Sequence, residues 1–232
     1  MIKKLFVHVV ACFCTLQLAA QDELNVMTFN IRLDLASDSL NAWQYRKDKA
    51  ASQVLFHDVD ILGVQEALNN QMLDLQAALK DYSYTGGGRE DGKTKGEYSA
   101  IFYNTKRLDL LNSSTFWLSL TPTVPGSKSW DAAITRIVTW AKFKDKRTGK
   151  IFFHFNTHFD HMGKIARKES AGMLLKAVDS IAGKTTAIVT GDFNAFPADE
   201  PIRIIVDEQN PLHLTDSKPL SIEGHYGPTG TF

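Results

Sequence analysis

Past Cys14 the 232-residue chain has no cysteine. Both cysteines, Cys12 and Cys14, sit in an opening stretch that reads as a secretory leader over residues 1–20: Lys3 and Lys4, an apolar run from Leu5 to Leu18, then Ala19 and Ala20. Removal of that leader gives a chain starting at Gln21 with no thiol. Disulfide staples, thiolate zinc centres and a cysteine nucleophile are then excluded together. A long hydrophobic run is also missing, since Leu5 to Leu18 is too short to span a bilayer comfortably. Val9-Val10-Ala11-Cys12 offers a lipoprotein start instead, but cleavage there would discard only half of the apolar run. The expectation is therefore an exported protein, periplasmic or extracellular. A basic excess is absent as well. Without Lys3 and Lys4, 24 of the 26 Lys and Arg residues remain against 26 Asp and Glu, a formal charge of −2. Avid sequence-independent binding of nucleic acid usually shows a surplus of cations.

Repeats, low-complexity tracts and long linkers are lacking too, so residues 21–232 read as one domain of ordinary composition, 44% hydrophobic and 22% charged over the whole chain. Short strands are expected at residues 24–29, 60–66 and 185–190, with a strand-rich middle at 99–103, 108–118, 134–143 and 151–159. Apolar spacing predicts helices over 41–58, 70–80 and 164–181. The basic segment KDKRTGK, residues 144–150, reads as a solvated hairpin loop rather than a phosphate patch. Strand pairs mixed with crossover helices point to a layered α/β or α+β fold.

Four of these strands end in polar residues of one chemical kind. NVMTFN ends at Asn30, DILGVQE at Glu66, and AIVTGDFN at Asp192 and Asn194, while IFFHFNTHFDH carries Asn156, His158, Asp160 and His161. On an extended chain Asp192 and Asn194 face the same side, although Gly, Asp, Asn and Pro are also the usual turn formers. In sheets with helical crossovers, ligand sites collect beyond the carboxyl ends of strands. Oxygen donors with one or two carboxylates suit magnesium, which keeps several of its waters. The chemistry that fits is metal-assisted hydrolysis of a phosphate ester.

In this order and spacing, TFNIR, ILGVQE, NTHFDH and TGDFN resemble the endonuclease/exonuclease/phosphatase family, which includes pancreatic-type deoxyribonuclease, exonuclease III and neutral sphingomyelinase. FWLS at 116–119, Trp130-Asp131 and Arg136 are similar to its exported bacterial members. The resemblance implies a four-layer α/β sandwich, two packed mixed or antiparallel sheets flanked by helices, with the site at its top. It implies Mg2+, with Mn2+ as a substitute, held by Glu66 with Asn30 beside it. Asp192 would orient or activate the attacking water and Asn194 would help to hold it. His158 would bond the scissile phosphate or assist the leaving group, and Arg136 would contact the phosphate. Asp160 and His161 stay outside this set, as residues that shape the following loop. The substrate implied is a phosphate ester, whether nucleic acid, lipid head group or small molecule, and no stable protein partner is implied; the chain is read as a monomer.

The family's closing Ser-Asp-His motif has no counterpart here. The chain stops at Thr229-Gly230-Thr231-Phe232, and neither His213 nor His225 stands in an Asp-His context. The expectation is that the C-terminal strands of one sheet are missing and that activity of the chain as given is in question. The alternative is an impaired or inactive secreted binding module on the same scaffold. A further rival is a dinuclear zinc hydrolase, because residues 156–161 approach an H-x-H-x-D-H pattern. Its first position is Asn156, a poor zinc ligand beside an imidazole.

Overall fold

Strand β2 (Ile61–Gln65) is buried at every residue, and its side chains alternate between two different cores. Leu62 and Val64 pack with Trp43, Val54, Met72, Leu75 and Leu79. Ile61 packs with Ile101, Phe143 and Phe152 instead. A strand covered on both faces belongs to the interior of a layered molecule. The computed structural model describes residues 23–222; the expected leader, His225 and residues 229–232 lie outside them.

Around β2 the first sheet is completed by three strands. β1 (Val26–Asn30) runs parallel to it, β4 (Ile101–Asn104) antiparallel, and β3 (Tyr82–Thr85) pairs with β4, giving the order β1-β2-β4-β3. Helices α1 (Trp43–Phe56) and α2 (Asn69–Ala78) cover its outer face. The second sheet has the order β5-β6-β7-β8. β5 (Leu108–Trp117), β6 (Ile137–Asp145) and β7 (Ile151–His158) run antiparallel in turn, and β8 (Ala187–Asp192) is parallel to β7. Helix α3 (Lys164–Ala182) places Ala171, Leu174, Leu175 and Val178 on Phe153 and Phe155, joined by Ile205 of α4 (Glu200–Val206). Burying a Leu or Phe side chain contributes roughly 1.5–3 kcal/mol, so each helix is fixed mainly by its inner stripe. α3 stops at Gly183, whose φ of 55° with ψ of −123° is a conformation that glycine adopts without a Cβ penalty.

The result is the four-layer sandwich, helices outside and two sheets face to face. β6 and β7 form the expected hairpin across residues 146–150. β3 and α4 were not foreseen. β3 is four residues long, YSYT, and α4 is seven, too short for a clear 3.6-residue period.

Between the sheets, polarity rises from one end to the other. Ile61, Ile101, Phe143, Phe152 and Ile188 are apolar and pack together. One step further along the same strands come Gly63, His154, Asn156 and Thr190, then Gln65, and finally Asn30, Glu66, His158 and Asp192 at the strand ends. Asn156 is fully buried and fully paired. Its Nδ2 donates to Val64 O at 2.8 Å and Ala100 O at 2.9 Å in the opposite sheet. Its Oδ1 accepts from Gln65 Nε2 at 2.7 Å and Thr190 Oγ1 at 3.1 Å. This approach is close enough to require glycine at 63, where a Cβ would lie 2.4 Å from Thr190 Oγ1 and 2.5 Å from Asn156 Oδ1. Gly63→Ala is therefore expected to destabilise the fold by about 1–3 kcal/mol through overpacking. Urea unfolding of the variant checks this, and an unchanged midpoint would mean that the sheets part here at no cost.

Candidate active site

Glu66 follows the last residue of β2 and turns the chain toward α2 with a φ of 64°. Arg32 and Asn194 also have positive φ, 56° and 46°. Non-glycine residues in this region cost of order 1 kcal/mol or more and persist where their surroundings hold them. Glu66 is held from both sides. Its Oε2 accepts from Leu33 N at 3.1 Å and its Oε1 from Asn30 Nδ2 at 2.8 Å. The same Asn30 nitrogen donates to Asp192 Oδ2 at 3.0 Å. Two carboxylates from different sheets thus converge on one amide, which offsets part of their mutual repulsion.

Asp192 ends β8 directly after Gly191, in register with His158. Its second oxygen accepts from Asn194 N at 3.0 Å, a turn closed by a side chain. The extended i, i+2 geometry expected for Asp192 and Asn194 therefore does not hold, because the backbone at Asn194 is left-handed. Turn and site coincide. Asn194 reaches the site by that turn, and its Nδ2 lies 3.0 Å from His158 Nε2 and 2.9 Å from Phe159 O. Its amide nitrogen is engaged in holding the imidazole, and only its Oδ1 is left for a bound group.

His158 is 6% exposed. With Asn194 donating to Nε2, the neutral ring carries its proton on Nδ1, which has no partner. Asp192 Oδ2 is 3.8 Å from Nε2, too long for a hydrogen bond. Burial, reinforced by Arg136 and opposed by Asp192, pulls the His158 pKa down to about 3. The ring is a neutral donor across the physiological range. Arg136 is 5% exposed, with Nη2 at 3.2 Å from His161 Nδ1 and Nε 3.8 Å from Asp160 Oδ2. Burial and the neighbouring Arg89 lower its pKa to about 10, which leaves it cationic at neutral pH. Asp160 accepts from Met162 N, Gly163 N and Ile134 N; burial pushes its carboxyl up, but these donors outweigh that and hold it at about 2. Its oxygens are taken up in shaping the loop.

The donors that converge, Glu66 and Asp192 with Asn30, are all hard oxygen-bearing groups, and Mg2+ is held by one or two carboxylates while keeping its waters. The set fits that cation. As it stands, Asn30 turns its nitrogen to the carboxylates while its Oδ1 accepts from Arg32 N at 2.9 Å, so Glu66 and Asp192 are the groups in place to hold a cation. Among the described residues no three His, Cys, Asp or Glu side chains form a metal-holding group.

Two residues at this site were passed over in the sequence. Arg89 and Glu97 flank a Gly-rich loop and pair at 2.7 Å, Arg89 Nη1 to Glu97 Oε2, beside His158 and Arg136. Burial raises the Glu97 pKa, partly countered by the two arginines. The one available signal was GGGRE followed by GEYSAIFY, a charged pair just before a buried strand.

Carboxylates, an amide and a buried imidazole thus gather at the strand ends of an α/β sandwich. The profile of the Endonuclease/Exonuclease/phosphatase family matches residues 27–232, and the chain belongs to that family. A crystal structure of an endonuclease/exonuclease/phosphatase from Bacteroides vulgatus is 47% identical, with a TM-score of 0.82 over 84% of this chain and 74% of that one. A mannosyl-6-phosphatase of Bacteroides thetaiotaomicron is 44% identical, with a TM-score of 0.78 over 80% of this chain and 71% of that one. The alignment with an uncharacterized protein of Acanthamoeba polyphaga mimivirus, 29% identical over 164 residues, takes in 67% of this chain and 60% of that protein.

Beneath the site His154 is fully buried. Thr190 Oγ1 donates to Asn156, so it accepts from His154 Nε2 at 2.9 Å, and burial lowers the His154 pKa to about 3. An unfolded histidine takes up a proton near pH 6.5. The folded state resists until about pH 3, so this group's contribution is full above 6.5 and is lost as pH falls between the two values. His154→Gln keeps a donor and removes the titration. Its plot of unfolding free energy against pH should be shallower than that of the parent by about 1.4 kcal/mol per unit between pH 5.5 and 4. Parallel plots from chemical denaturation at stepped pH would show that His154 is protonated in the folded protein.

Proposed function

We propose that the protein is a magnesium-dependent hydrolase of phosphate esters, with manganese as a substitute. The observation that carries this reading is the convergence of Glu66 and Asp192, one from each sheet, on the Asn30 amide. Glu66, with Asp192 facing it, would hold the cation. When bound, the cation polarises a phosphoryl oxygen and offsets the charge that builds on it. Asp192 is ionisable and oriented by its bond from Asn194 N, which suits it to take a proton from, or align, an attacking water. His158 keeps one N–H donor for the ester and is fixed in that tautomer by Asn194. Arg136 adds a buried cation beside it. The 44% identity to a mannosyl-6-phosphatase supports phosphate-ester chemistry.

Glu66→Gln tests the cation's place. The substitution keeps size and a hydrogen-bonding group but removes the charge. Calorimetric titration should show magnesium affinity falling at least about tenfold, about 1.4 kcal/mol. Turnover of an aryl phosphate ester should be lost while the melting temperature stays near that of the parent. Unchanged magnesium affinity would remove Glu66 from this role.

A further inference from the structure

Three consecutive polar side chains open α2, and each holds a different part of the chain around Glu66. Asn69 Oδ1 accepts from Tyr98 OH at 3.0 Å, and Asn70 Nδ2 donates to Asp34 Oδ2 at 2.9 Å. Gln71 is the innermost, with no exposed surface. Its Oε1 accepts from Leu68 N and Asp34 N, both at 3.0 Å, and its Nε2 donates to Arg32 O at 2.9 Å. The bond to Leu68 alone is half of a capping box, in which a Gln in the first turn reaches back to the N-cap amide. Capping asks nothing of Asp34 or Arg32, which lie 37 and 39 residues away in sequence. Between those two stands Leu33, whose N–H donates to Glu66 Oε2 at 3.1 Å. Gln71 therefore grips the chain on either side of the backbone donor that Glu66 uses.

This loop needs holding. Arg32 has a φ of 56°, and left-handed backbone at a non-glycine residue persists only where its surroundings fix it. Its N–H donates to Asn30 Oδ1 at 2.9 Å. Its carbonyl oxygen is fixed from two sides, by Gln71 Nε2 and by Arg46 Nη2 at 2.8 Å. Arg46 also donates to Ile31 O and, through Nε, to Asn41 O at 2.8 Å, with its guanidinium over the Trp43 ring. The Arg32 side chain takes no part in the clamp; it is 55% exposed and pairs with Asp38 at 2.6 and 2.7 Å. The backbone beyond β1 is thus clamped from α1 by Arg46 and from α2 by Gln71.

We infer that Gln71 is a positioning residue for the cation site: it fixes the Arg32–Asp34 loop so that Leu33 N–H aims the Glu66 carboxylate, and thereby sets divalent-cation affinity. This rests on the magnesium reading above and deepens it. Gln71 acts through the backbone, not on the carboxylate. One Glu66 oxygen accepts from Leu33 N and the other from Asn30 Nδ2, and both donors stand at the carboxyl end of β1. When that segment loosens, the carboxylate loses its orientation. It must then be ordered at the moment a cation binds, and the entropy cost appears as weaker affinity.

Gln71→Met removes all three bonds at similar volume. Calorimetric titration of the metal-free full chain with magnesium should show affinity at least about tenfold weaker, the lower end of what losing an outer partner does to a metal site. Amide hydrogen exchange of the metal-free protein, read at Leu33, should speed up at least about tenfold, because the clamp no longer holds that N–H closed. Leu75→Ala controls for a merely structural role, since it weakens the same helix from its buried face and leaves Gln71 in place. Its magnesium affinity should stay within about twofold of the parent, as expected for a site with no shared partner. If Gln71→Met does not fold, Gln71→Asn, whose shorter side chain cannot span from Leu68 to Arg32, is read in its place. Unchanged magnesium affinity in the Gln71 variant, an equal loss in Leu75→Ala, or unchanged exchange at Leu33 overturns the inference. A parent that binds no magnesium would instead count against the proposed activity, and exchange at Leu33 would then decide alone whether Gln71 holds the loop.

Discussion

The carboxamide of Asn156 is the contact on which the rest of the site depends. It lies between two sheets that otherwise meet through hydrophobic packing, which has no direction and tolerates sliding. A buried amide without partners costs several kcal/mol. Asn156 has four, two backbone carbonyls of one sheet and the side chains of Gln65 and Thr190. Only one register satisfies all of them. Glu66 is the next residue after Gln65, and Asp192 lies two beyond Thr190 on the same face. Fixing the inner pair fixes the outer pair, so two carboxylates from separate sheets arrive within reach of one amide nitrogen.

Above that layer, the site is built from groups whose ordinary preferences are overridden. Glu66 and Asn194 accept left-handed backbone, and His158 and Arg136 accept burial that works against their charged forms. These costs are tolerable because the four-layer core beneath is apolar and closely packed. They also have a use. A histidine kept neutral and an arginine with unmatched donors have more to gain from an incoming anion than the same groups in water.

Asn30, Glu66, His158 and Asp192 stand out in the sequence as candidates because each lies at the end of an apolar strand, whereas Arg136, which precedes β6, is suggested by the resemblance alone. The resemblance in TFNIR, ILGVQE, NTHFDH and TGDFN supplied the order of layers, which periodicity alone does not carry. Other features depend on partners distant in sequence. Asn156 and Gln65 stand 91 residues apart, and nothing local marks them as bonded. The turn at Asn194 replaced an extended geometry because Asp192 caps it through its own side chain. Arg89 and Glu97 sit in a glycine-rich stretch that looks like an ordinary loop until folding sets them beside His158.

The central claim is that a divalent cation sits on Glu66 at the ends of the two sheets. Crystals of the chain soaked in Mn2+ and measured at the manganese absorption edge test it most directly. The account predicts an anomalous peak within coordination distance of a Glu66 carboxylate oxygen, on the side facing Asp192. A well-occupied peak elsewhere, for example at Asp160 and His161 with none at Glu66, would contradict it.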